Sequence, residues 1–168
     1  MTRCTDTPAA WDERTQLTTF LDYTRDTARA KCEGLSEENA RTAPLPNSPL
    51  MTVSGVINHL RWVEYYWFQV ILLGEEDLAP MTDEDPDREM RIAVGFPLPQ
   101  LLAEYAEQSR RYRELAAATP LDQKSVGTIR DGLRVDLRWI LHHLVEETAR
   151  HNGHLDILRE MLDGTTGN

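Results

Sequence analysis

The chain has 168 residues, 40% of them apolar and 27% charged, with a formal net charge of −10. That length suits one domain, residues 1–168, whose core needs no disulfide or structural metal to hold it. So acidic a balance argues against nonspecific binding to nucleic acid or to an anionic membrane, because like charge repels.

Residues 1–9 read as a frayed tail with no apolar run of the signal-peptide kind, and residues 164–168 as a second tail. The two cysteines, Cys4 and Cys32, show no disulfide or metal spacing, which points to a reducing, cytoplasmic setting. Only Lys31 and Lys124 of the 18 basic residues are lysines, an Arg bias that fits a GC-rich genome.

From Ala10 to Cys32, the residues Leu17, Phe20, Leu21, Thr24, Ala28 and Cys32 recur at helical spacing, with Gly34 as a stop. Prolines 44, 46 and 49 then predict a loop over Leu35–Met51. A second helix starts near the N-cap residues Thr52 and Ser54 and runs to Leu73, where Gly74 ends it. Its apolar stripe is Val56, Leu60, Val63, Trp67, Val70 and Ile71, and His59 sits among these. Residues Gly74–Pro99 are acidic and broken by prolines, so they read as a surface connection and a candidate lid.

The third helix is expected over Pro99–Ala118, with Leu101, Leu102, Tyr105, Tyr112, Leu115 and Ala116 facing inward. Ser125–Arg130 and Leu133–Val135, joined at Asp131-Gly132, predict a short hairpin. The fourth helix starts at the N-cap Asp136 and ends by Leu162, with Gly164 as its C-cap. No apolar run reaches the roughly 20 residues that a membrane span needs. Four amphipathic segments with polar connections predict an all-α four-helix bundle. The connections are long enough to allow neighbours that are not consecutive in the chain.

The chemistry concentrates on the fourth helix, which carries four of the five histidines. His143, Glu147 and His151 stack at i, i+4 and i+8, with His154 close to the same face. Carboxylate and imidazole one turn apart can grip one metal ion. Glu147 and His151, joined by His59 from the second helix, would make a two-imidazole, one-carboxylate set with open positions, as in catalytic zinc sites. His142–Glu146 and His143–Glu147 have the same spacing. A solvated face with a Glu146–Arg150 ion pair has it too, so periodicity does not choose among them. Trp62, Trp67, Trp139, Tyr65 and Tyr66 read as core and rim, with one or two of them on a pocket wall. No phosphate-binding glycine loop, nucleophile elbow or Cys–His pairing is visible.

His59-Leu60, Val63-Glu64 and Trp67-Phe68 in the second helix, with Glu146-Glu147-Thr148-Ala149-Arg150-His151 and Gly153-His154 in the fourth, resemble the DinB-like superfamily. The similarity covers most of the chain and is strongest to the actinobacterial branch that includes mycothiol-dependent maleylpyruvate isomerases. The resemblance implies a metal-binding four-helix bundle with His59, Glu147 and His151 as ligands to a divalent ion, zinc first, with nickel, iron or manganese as alternatives. It further implies a low-molecular-weight thiol such as mycothiol as partner, a small-molecule substrate and a homodimer, which exposed apolar residues on the first and third helices could support, with the dimer face left open. Two departures stand out. The chain ends at the bundle where the isomerase has a further C-terminal domain, and Asn152 follows the ligand histidine where many three-histidine members have Arg.

The function expected on this basis is S-transfer or isomerisation of a small electrophile, with His154, or a water on Glu146, moving protons. A metal-dependent hydrolase and a non-enzymatic binding or stress protein on the same bundle are the alternatives.

Overall fold

The structure is a computed structural model that describes residues 4–167. Among these residues it is all-helical, as the apolar periodicity predicts. Helix α1 spans Glu13–Ala30 and starts three residues later than its apolar pattern suggests, because the Asp12 side chain caps it by accepting from the Thr15 backbone N–H. Helix α3 spans Val53–Tyr65 behind Thr52, whose hydroxyl accepts from Gly55 N at 2.9 Å. It continues as a π-helical stretch over Tyr66–Leu72, where Leu73 N reaches back to Phe68 O at 3.1 Å. Helix α5 spans Leu98–Ala118, and helix α6 spans Leu137–Asp163 from its Asp136 cap to the left-handed Gly164.

Three connections differ from expectation. The predicted loop over 35–51 contains helix α2, Glu37–Arg41, nucleated by Ser36, which accepts from Asn39 N. A Glu37 carboxylate oxygen in turn caps α5, accepting from Leu98 N at 3.1 Å. The acidic connection contains helix α4, Arg88–Ala93, which packs on α3 and is part of the fold. The predicted hairpin forms no continuous strand. It shrinks to two isolated antiparallel bridges, Ile129 with Leu133 and Lys124 with Asp136, around a turn in which Arg130, Asp131 and Gly132 all have positive φ. That connection docks on the end of the π-helical stretch, where Val126 N and Gly127 N donate to Leu72 O and Ile71 O at 3.1 and 2.9 Å. A Cβ at Gly127 would stand 2.8 Å from Val70 O, so the approach needs glycine.

Helix α1 packs against α6 and α5, while α3 packs against α5 and α6, which sets α1 and α3 on a diagonal. Two apolar clusters fill the bundle. One contains Val56, Ile57, Leu60, Tyr105, Leu155 and Leu158. The other contains Phe68, Tyr112, Ile140, Leu141 and Leu144. The buried polar residues Thr24, Arg25, Glu64, Ser109, Thr148, His151 and Asn152 fall between these clusters along each helix. Arg25 and Glu64 join across the diagonal by two hydrogen bonds, Nε–Oε1 at 2.7 Å and Nη2–Oε2 at 2.8 Å. Asn152 donates to Thr24 O at 2.9 Å and ties α6 to α1 in the same layer.

Exposed large apolar residues occur on α1 (Phe20) and α6 (Trp139, Ile157, Met161), but among the described residues α5, the expected third helix, exposes none. Of the expected tails, residues 1–3 and 168 lie outside the described residues. The rest is partly tied down: Cys4 N donates to Asp26 Oδ2 at 3.2 Å, and Thr165 Oγ1 accepts from Arg159 at 3.2 Å. No helix of the described residues is long and apolar enough to cross a membrane.

Candidate metal centre

Helices α3 and α6 are neighbours, and each turns part of one layer toward the other. The rotational phase of α6 follows from its apolar residues. Leu144, Leu155 and Leu158 are fully buried, so Thr148, His151 and Asn152 are carried inward and Glu146 and Arg150 outward. His59 projects from α3 into the same rim. Its Nε2 lies 3.5 Å from Glu147 Oε1, and His151 Nε2 lies 3.1 Å from the same oxygen. One donor atom from each of His59, Glu147 and His151 lies within 4.8 Å of the others.

The donor set fits a divalent ion. Ligand atoms about 2.0–2.1 Å from a tetrahedral zinc ion stand roughly 3.3–3.5 Å apart, and the two edges from Glu147 Oε1 to the imidazoles are near that spacing. Two imidazole nitrogens and one carboxylate oxygen are also the ligand types of catalytic zinc sites that keep a position open.

Each imidazole has a second polar neighbour. His59 Nδ1 lies 2.9 Å from Glu89 Oε1, and His151 Nδ1 lies 3.3 Å from His154 Nδ1. Glu89 was absent from the expected site. It sits on α4, thirty residues from His59 in sequence, and is 2% exposed. The only signal for it was Ala93 one turn on, and a six-residue helix is too short for that spacing to register as a period.

The charges are strongly coupled. Hydrogen bonds with His151 and then His59 hold the Glu147 carboxyl well below the usual carboxylate range. Burial would lower the His59 pKa, but hydrogen bonds to Glu147 and Glu89 outweigh it and raise the value to about 9. Burial, with the neighbouring charges of His151 and Arg150, lowers His154.

A pH dependence follows. A proton on His59 would compete with a divalent ion for Nε2, so affinity for an added ion such as zinc is expected to rise with pH up to about 9, by as much as tenfold per unit. The stability of the zinc-free protein runs the other way. The raised pKa stabilises fully below the unfolded histidine value near 6.5, and that contribution is lost as pH passes about 9. Calorimetric zinc titrations from pH 6 to 9, with melting curves in chelator, check both signs. An affinity independent of pH over that range would contradict the first.

The remaining expected residues are placed elsewhere. Glu146 is exposed and paired with Arg150, whose Nε stands 2.9 Å away, which is the ion pair its spacing allows. His143, one turn from Glu147, is held in an aromatic cluster. Its ring centroid is 4.6 Å from Trp67 and 5.1 Å from Trp139, stacked on the latter at 13°. His142 is exposed and donates from Nδ1 to Arg138 O at 2.9 Å.

Residues 16–164 match the family model described as mycothiol-S-transferase. A comparison with curated proteins finds no match. The family match spans most of the chain, which therefore belongs to the mycothiol-S-transferase family, within the DinB-like superfamily.

Proposed function

We propose that this member of the mycothiol-S-transferase family is a divalent-metal-dependent thiol transferase that joins a low-molecular-weight thiol of the mycothiol type to a small electrophile. The observation that carries the reading is the convergence of His59, Glu147 and His151 from two helices on one point. His59, Glu147 and His151 would hold the ion, zinc first among the candidates. A divalent ion bound there supplies positive charge that favours the thiolate form of a thiol.

The chain's own residues account for positioning and proton movement. His154, whose proton affinity is lowered by burial, is the neutral base that takes the thiol proton, with Nδ1 turned from its contact with His151 to do so. The sulfur lone pair then forms the S–C bond, and the electrophile releases its leaving group or takes up the proton from His154. Of the two expected proton carriers we retain His154 alone, since Glu146 is engaged by Arg150 on the exposed face. Trp67, His143 and Trp139 offer an apolar wall one turn from Glu147 against which a small electrophile can lie.

The test combines metal analysis of the purified protein with conjugation of mycothiol to a chromogenic aryl halide. Turnover that requires both metal and thiol is the expected result. A protein that binds no divalent ion would sink the reading. Thiol-independent ester hydrolysis would select a hydrolase on the same ligands, and tight metal binding without any turnover would select a binding protein.

A further inference from the structure

The acidic connection between α3 and α5 holds a carboxylate that the proposed chemistry does not use. Glu89 is 2% exposed, and its two oxygens have different surroundings. Oε1 lies 2.9 Å from His59 Nδ1. Oε2 is buried without a hydrogen-bond partner among the described residues. A carboxylate in that position is poorly compensated by its own surroundings, since buried acids normally collect several donors. Its one strong contact is to the far nitrogen of a candidate metal ligand.

The position of Glu89 is set by the fold and not by a mobile loop. Asn58, the residue before His59, is buried and donates from Nδ2 to the Glu89 backbone carbonyl at 2.7 Å. Two consecutive residues of α3 therefore grip residue 89, one by its main chain and one by its side chain. Gly55, one turn earlier on α3, fits under the chain that leads into the helix: a Cβ there would stand 2.9 Å from Leu50 O, and would meet Met90 Cβ of α4 only in ordinary contact at 3.5 Å. Within α4, Glu89 and Ala93 are the buried residues, while the charged side chains of Arg88 and Arg91 stay at the surface. A helix of six residues has little stability of its own, so its place depends on these contacts with α3.

We propose that Glu89 is a positioning residue for the metal centre: it fixes His59 in the tautomer with hydrogen on Nδ1, leaving Nε2 free to ligate, and offsets the charge of the bound ion. The inference rests on the metal-site reading above. With two neutral imidazoles and Glu147 alone, a bound dication leaves a formal charge of about +1, and Glu89 one imidazole away brings the total to about zero. A carboxylate at this distance from Nδ1 also holds the His59 ring in one orientation. The segment that reads as a lid in the sequence becomes, in this account, a fixed support that delivers one carboxylate.

The experiment uses Glu89→Gln and Glu89→Ala in the full chain, with zinc affinity measured by competition with a chromogenic chelator. Nitrogen-15 NMR of the zinc-loaded proteins reports the His59 tautomer. Glutamine keeps the shape and a possible acceptor but removes the charge, so it separates positioning from packing. Loss of zinc affinity by about 10-fold in Glu89→Gln and up to about 100-fold in Glu89→Ala is expected, the range seen when such outer partners of metal-bound histidines are removed. The His59 Nδ1–H resonance is expected to weaken or exchange faster in Glu89→Ala, an effect that a purely structural role for α4 would not produce. Unchanged zinc affinity in Glu89→Gln together with an unchanged His59 signal in either variant overturns the proposal. An unaltered protein that binds no zinc overturns the metal-site reading itself, and this inference with it.

Discussion

His151→Ala is expected to lower zinc affinity by more than about 100-fold and to reduce thiol transfer to background. The bound is set by outer partners of metal ligands, whose loss already costs about 10–100-fold, and a direct ligand contributes more. Among the described residues His151 supplies one of three converging donors, and its Nε2 stands 3.1 Å from Glu147 Oε1, so its removal leaves a two-ligand site that binds an ion weakly. It also strips His154 of its neighbour at Nδ1. Glu147→Ala should act alike, because Glu147 is the group that faces both imidazoles. Glu146→Gln is the contrasting case. It breaks only an exposed i,i+4 pair with Arg150 and should leave zinc affinity unchanged, with stability altered by no more than about 0.5 kcal/mol. Chelator competition and turnover on the three variants decide the register. Equal losses in Glu146→Gln and Glu147→Ala would mean that the phase of α6 differs from the one described.

Arg25→Ala is expected to destabilise the fold by about 3–5 kcal/mol, because it leaves the Glu64 carboxylate buried without its cation. Both partners are almost fully enclosed, at 3% and 1% side-chain exposure, and the guanidinium meets both carboxylate oxygens. Burial would lower the Arg25 pKa, but contact with Glu64 outweighs it, so the guanidinium stays charged throughout the ordinary pH range. A third contact, Arg25 Nη1 to Asp22 at 3.1 Å, is partly exposed and adds little. For a chain of this size the loss corresponds to a fall in Tm of roughly 6–20 °C. Replacing both partners together, Arg25→Met with Glu64→Leu, should recover most of the loss, since an apolar pair of similar volume has no charge to desolvate. Thermal melts of the single and double variants measure this. A single variant that melts with the unaltered protein would show that water reaches Glu64.

The same buried layer links stability to the metal centre. Thr148 and Asn152, beside Glu147 and His151 on α6, are buried between the two apolar clusters together with Arg25 and Glu64. A defect at Arg25 is therefore expected to loosen α1 against α6 before it reaches the ligands directly, through Asn152 and its bond to Thr24 O.

The four long helices were legible in the chain because each repeats apolar residues over many turns and carries its own boundary residues. Thr52 and Asp136 cap helices through side-chain bonds that depend only on residues three positions away. Gly74 and Gly164 close them in the left-handed conformation that glycine adopts without strain. The helical spacing of Glu147 and His151 was local in the same sense, and with His59 it marked the ligand candidates.

What lay beyond the sequence was non-local or too short to repeat. Helices α2 and α4 are five and six residues long, under two turns, so no period forms. The π-helical stretch differs from an α-helix by one residue in hydrogen-bond reach, which seven residues of apolar sequence do not reveal. The choice of Glu147 over Glu146, which spacing leaves open and the resemblance implies, is one of rotational phase, and the burial of the α6 leucines agrees with it. Glu89 reaches His59 because Asn58 holds the Glu89 carbonyl and so fixes α4 against α3. The sequence by itself determined the helices and the ligand types, since both follow from contacts within about two turns. Tertiary structure alone decided which carboxylate stands behind His59, because that is set by packing between segments far apart in the chain.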